Sequence, residues 1–136
     1  MKPQRVDLKG VAGVEEVIER VLETRLREIR ALAPGLERRD KQGLHDFRIA
    51  CKRLRYALER FEALEPSLQA AAERIALLQD ELGDAHDRDV LLAILPPQMT
   101  ATHGRLHAER ESCIDRAIAL WDEVQSLLEV AGSNSI

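Results

Sequence analysis

The residues best placed to do chemistry form one short run. His45, Arg48, Lys52 and Arg55 follow one another in steps of three, four and three, which on a helix puts them within about 80° of one another. Tyr56 and Glu59 fall alongside, and Lys41 stands just before the row. A planar guanidinium meets two phosphate oxygens at once, while an ammonium acts as a compact point charge, so the mixture suits a chain of phosphates better than a single carboxylate. Like charges stacked on one helix face repel by roughly 0.2–0.5 kcal/mol per pair, which an anionic ligand would offset. The ordinary reading of a basic helix is a solvated outer face. Here, however, the row carries one sign, with only Asp46 and Glu59 nearby to pair. His45 opens the row, where it either donates to an anion and adds charge below its titration range, or serves as a capping or buried group.

A row of this kind needs a helix to carry it, and period and punctuation predict four. The chain of 136 residues is 45% hydrophobic, 32% charged and only 3% aromatic, a composition of amphipathic helices and not of sheets. The first predicted helix covers residues 11–33, through Val14, Ile18, Val21, Leu22, Ile29 and Leu32, with Pro34-Gly35 as its stop. The second covers 41–64 on a stripe of Leu44, Phe47, Cys51, Leu54, Leu58 and Phe61, which lies beside the basic row and does not oppose it. The third covers 66–95, beginning at a proline and turning Ile75, Leu78, Leu82 and Val90 inward, with Gly83 as a candidate kink or close approach. The fourth covers 102–130 through Leu106, Cys113, Ile114, Ala117, Leu120, Val124 and Leu127, before a frayed tail from Gly132. Short turns between helices of this length predict one domain over residues 1–136, an all-α antiparallel four-helix bundle.

Charge is segregated along the chain. The net charge is −4, yet residues 41–60 hold six basic residues (Lys41, Arg48, Lys52, Arg53, Arg55, Arg60) against two acidic ones (Asp46, Glu59). Cys51 and Cys113 have no CxxC spacing and read as small core residues. No apolar run approaches the ~20 residues needed to cross a bilayer, so a cytoplasmic protein with no membrane partner is expected.

Other candidates are weaker. Asp87 can orient a basic partner or form a surface ion pair. Asp84, Asp87 and Asp89 follow one another along one helix and do not converge on a magnesium ion. His103 and His107 stand at i, i+4 with Arg110 continuing their face, but no third ligand has zinc spacing. An auxiliary anion contact from His107, Arg110 or Arg74 is the alternative, and neither metal nor cofactor is expected. Ser112 and Ser126 lack an adjacent base, Gly83 is alone, and no paired carboxylates or phosphate-cradling loop are present. The sequence therefore points away from an enzyme.

The stretch HDFRIACKRLRYALERF, followed after a spacer by LLQDELGDAHDRDVL, resembles the two signature segments of the CHAD family, the conserved-histidine α-helical domain. His45, Arg48, Lys52, Arg53, Arg55 and Tyr56 match the first segment, and Leu82, Gly83 and Asp87 the second. The resemblance implies a non-enzymatic helical domain that binds inorganic polyphosphate in a basic channel and is often associated with polyphosphate granules. It also implies two four-helix halves related by a pseudo-twofold, of which this chain resembles one, closer to the second. A homodimer would then complete the channel. Two readings of other classes stand beside this one: a helical interaction or dimerisation module with an acidic partner protein, and an accessory subunit in polyphosphate or triphosphate metabolism. Nucleic acid ranks as a weak competing polyanion, since Tyr56 is the only tyrosine and the row lacks interleaved aromatic groups for stacking.

Overall fold

The computed structural model describes residues 2–134. The elements are α1 (Val14–Arg38), α2 (Lys41–Phe61), a 3-10 turn at Pro66–Leu68, α3 (Gln69–Ile94) and α4 (Thr100–Asn134). α1 packs on α2 and α3 on α4, the two hairpins join along an α2/α3 seam, and α1 barely meets α4. The result is the expected antiparallel four-helix bundle. No helix among the described residues is long and apolar enough to cross a membrane.

One apolar cluster draws on all four helices. From α2 come Leu44, Phe47, Cys51, Leu54 and Leu58, all buried as their spacing predicts, while Phe61 is half-buried. Trp121 of α4, which the sequence reading passed over, meets Phe47 edge to face with ring centroids 5.5 Å apart, a geometry that complements the ring quadrupoles. Two expected core positions are corrected: Val14 and Val90 are 58% and 46% exposed. Val14 is the first residue of its helix, and Val90 lines a groove described below.

The largest correction lies at the end of α1. Pro34-Gly35 does not stop the helix, which continues to Arg38. Proline removes one i→i−4 hydrogen bond, and burial of Leu36 with no exposed surface favours the added turn. The left-handed position that ends the helix belongs instead to Arg39 (φ 62°), whose N–H donates to the Gly35 carbonyl at 3.2 Å. Gly35 has a different task. It lies against Gly43 of α2 so closely that a Cβ on Gly35 would stand 2.8 Å from the Gly43 Cα. Asp40 starts α2 by accepting from the Gly43 N–H at 3.0 Å, and that bond holds its carboxyl below the usual range.

Other boundaries move less. α2 ends at Phe61 and not at 64, Pro66 opens a separate 3-10 turn, and α4 starts at Thr100 and runs through the Gly132 region to Asn134. Ser135 and Ile136, also read as frayed, lie outside the described residues. α3 is continuous through Gly83, where an added Cβ would meet nothing within 4 Å.

Register between α3 and α4 is set by charge. Arg74 pairs with Glu123 (3.2 Å), Glu81 with Arg116 (3.0 Å) and Arg88 with Glu109 (3.2 Å). Both members advance by seven residues at each step in opposite chain directions, and the sign alternates, so only one antiparallel register satisfies all three pairs. Exposed pairs of this kind add little stability individually, and their effect is on alignment. Within the first hairpin, the buried Glu28 of α1 takes Arg25 and the Arg53 guanidinium of α2 (3.2 Å), and also accepts from the Gln4 N–H (3.0 Å).

Two outcomes follow. Gly43→Ala should destabilise the protein by about 1–3 kcal/mol in denaturant unfolding despite alanine's better helix propensity, because the new Cβ meets Gly35 backbone at 2.7 Å. A neutral result would remove the close crossing. Glu81→Arg should lower the melting temperature by facing Arg116 with a like charge, and adding Arg116→Glu should restore most of it, with the recovery shrinking in high salt.

Candidate functional site

Lys41, His45, Arg48 and Lys52 share one face of α2, and Lys41, His45 and Lys52 are exposed while Arg48 is half-buried. Asp40 caps the helix immediately before Lys41. Lys41 and His45 therefore stand at the positive end of the helix dipole, with no acidic residue in the first turn. None of the four has a carboxylate partner among the described residues, whereas Arg38, Arg39, Arg74, Arg88, Arg110 and Arg116 all do. Lys52 lies over the ring of Tyr56, 5.8 Å from its centroid.

Across from this face stands α3. Lys41, Leu44, His45 and Arg48 from α2, with Leu82, His86, Asp89, Val90 and Ala93 from α3, line an open groove of about 270 Å³. Leu44 and Leu82 are buried and form its apolar floor. Farther along the seam Arg55 donates to Gln79 of α3 (3.2 Å) and to Glu59 (2.7 Å). Donation to the Glu59 carboxylate raises the Arg55 guanidinium further above its ordinary value, so the charge of this member of the row is partly compensated within the fold.

Asp89 is the one carboxylate lining the groove, and it is already committed. Arg110 reaches it from α4 at 2.7 Å, with the two side chains 10% and 12% exposed. The same guanidinium donates to Glu111 at 3.0 Å and to the Arg39 carbonyl at 2.6 Å. Arg39 in turn holds Glu111 (2.7 Å) and Asp115 (2.5 Å), and Asp115 foremost raises its guanidinium above the ordinary value.

The other residues singled out in the sequence fall elsewhere. Arg53 points away from the row toward Glu28, Arg74 belongs to the α3/α4 charge ladder, and Arg110 lies beneath the groove wall. Asp87 and His107 are exposed and do not line the groove. His103 faces the Leu95 and Pro96 carbonyls through Nε2 (3.3 and 3.1 Å), where its N–H closes the end of α3. Glu81, Asp84 and Cys113 place ligand atoms within 4.8 Å of one another, but Arg116 already bridges Glu81 and the Cys113 sulfur (3.5 Å). Burial pushes the Cys113 thiol up and the Cys51 thiol well up, as befits core groups.

Sequence reasoning missed His86 and Asp89 as groove residues. A signal existed: His86 lies four residues after Leu82 and four before Val90, on a stripe read as wholly apolar.

No curated protein and no solved structure matches this chain. The CHAD domain family model matches residues 3–96, a span that takes in α1, α2, the 3-10 turn and α3, and so the whole basic row and both walls of the groove. The chain belongs to the CHAD domain family.

Proposed function

We propose that this protein binds inorganic polyphosphate without catalysing a reaction, along the face formed by Lys41, His45, Arg48 and Lys52, with Arg55 and Tyr56 at its far end. The observation that carries this reading is the set of basic side chains Lys41, His45, Arg48 and Lys52 on one helix face, lining or continuing an open groove and left without acidic partners among the described residues. The CHAD family is associated with polyphosphate or triphosphate binding or metabolism, which agrees in chemical class. A linear phosphate chain presents a repeated anion to a repeated row, so affinity should rise with chain length until the row is filled. Counterion release makes such binding fall steeply with salt. Arg53 and Arg110 support the row by holding α2 and α3 in place, and Arg74, Asp87 and His107 take no direct part.

The cations stand mainly on one wall, and the rim of the other carries exposed Val90 and Ile94, the latter 71% exposed. We propose that a second copy of the chain covers this rim and completes the site. A cytoplasmic location at polyphosphate granules would follow from the ligand.

Titration calorimetry at near-physiological salt provides the test, with long-chain polyphosphate, orthophosphate and duplex DNA as ligands. Polyphosphate should bind tightest, and Arg48→Ala with Lys52→Ala should weaken it about a hundredfold, the loss of two charge-assisted contacts. Arg27→Ala with Arg30→Ala removes the same formal charge from exposed positions of α1 and should leave affinity nearly unchanged. Absence of polyphosphate binding by the folded protein would sink the proposal and transfer the row to an acidic protein partner. Light scattering with and without polyphosphate should show a dimer; a strict monomer in both would exclude the second copy.

A further inference from the structure

We infer that this groove captures its anion in a pH-dependent manner, with His86 of α3 as a ligand on the wall opposite His45. The inference rests on the polyphosphate reading above and adds a contact residue and a mode of regulation to it. His45 and His86 are both exposed and line the same groove from different helices. Neither imidazole has a hydrogen bond or ion pair with another group among the described residues, so both are open to a ligand.

The surrounding charges decide what protonation does there. α2 contributes Lys41 and Arg48, α3 contributes Asp89, and α4 contributes Arg110 behind Asp89. Glu111 takes a second Arg110 nitrogen and the Arg39 carbonyl at the end of α1 takes the third. Asp89 would otherwise be the natural partner for an imidazolium in this groove. Because Arg110 holds it at 2.7 Å, a proton gained by either histidine adds net positive charge that faces the ligand.

Internal phosphates of a polyphosphate chain each carry a single strongly acidic group and stay ionised throughout the histidine range. Protein carboxylates also remain mostly ionised above about pH 5. The pH dependence therefore belongs to the two imidazoles, the side chains whose ordinary titration falls between about pH 5 and pH 8. A bound phosphate chain stabilises their protonated forms, so capture takes up protons, and affinity rises as pH falls through this interval.

The experiment measures the dissociation constant for long-chain polyphosphate at constant ionic strength at about pH 8 and about pH 5.5, where binding should be at least tenfold tighter. Calorimetry in two buffers of different ionisation enthalpy gives the protons taken up on binding. Wild-type protein should take up protons near neutrality, His86→Gln should take up about half as many, and His45→Gln with His86→Gln should bind with the same affinity at both pH values. Far-UV circular dichroism at each pH checks folding, which exposed positions leave intact. Binding by wild type with a flat profile, or a slope retained in the double variant, overturns this inference while leaving polyphosphate binding in place. Failure of wild type to bind at either pH overturns both.

Discussion

The Arg110 guanidinium, at about a tenth of its full exposure, sits between α3, its own helix α4 and the turn that follows α1, and a charge so placed is tolerated only if its donors are met. They are met by one group from each of three sources: Asp89 on α3, Glu111 on its own helix, and the Arg39 carbonyl at the α1/α2 turn. Those partners fix more than the arginine. Arg39 adopts the left-handed backbone that a side chain ordinarily disfavours, and its carbonyl and guanidinium are both tied to α4. The turn that launches α2, and with it the basic row, is thereby referenced to the second hairpin as well as to α1.

That same contact sets the field in the groove. With Asp89 free, the groove would hold an anion of its own facing Lys41, His45 and Arg48, and that carboxylate could compensate part of their charge internally. With Asp89 bound to Arg110, the charge of the α2 wall is left uncompensated by the groove's own carboxylate. The helix dipole of α2 works in the same direction at Lys41 and His45, and residues 41–60 hold six basic against two acidic residues in a chain of net charge −4. Like charges stacked in this way repel one another as long as no counter-charge faces them.

Much of this was legible in the sequence, and the parts that were not share a cause. The α2 stripe and the row beside it follow from helical period alone, because Leu44, Phe47, Cys51, Leu54 and Leu58 repeat over several turns and each is buried. Periodicity averages over turns, however, and single residues can act through contacts it does not register. Pro34-Gly35 carries the local signature of a stop, yet Gly35 is used for a backbone crossing with Gly43 across the hairpin, and the terminating conformation passes to Arg39. Likewise Arg53 and Arg110 look equivalent to Arg48 as sequence, since a carboxylate distant in the chain, Glu28 for Arg53 and Asp89 for Arg110, is invisible to local pattern. His86 was hidden differently: it occupies a stripe position whose neighbours are apolar, and only the α2/α3 seam shows that this stretch of the stripe lines an open groove and not the core.

The two hairpins treat charge in opposite ways, and the contrast explains why the fourth helix matters to a site it does not line. Along α3 and α4 the pairs Arg74–Glu123, Glu81–Arg116 and Arg88–Glu109 close a heptad ladder in which each cation has its acid. That ladder fixes the rotation and height of α3, and therefore which of its residues face α2. One residue past its last rung, Asp89 meets Arg110. A one-turn slip of α4 would move Arg110 by about 5.4 Å along the seam, break the ladder, and leave Asp89 facing Arg48 as an anion. α4 begins beyond the residues matched by the family model, which stop at 96. A helix outside the matched segment thus determines the charge presented by a residue inside it, and the groove remains cationic only as long as α3 and α4 stay in register.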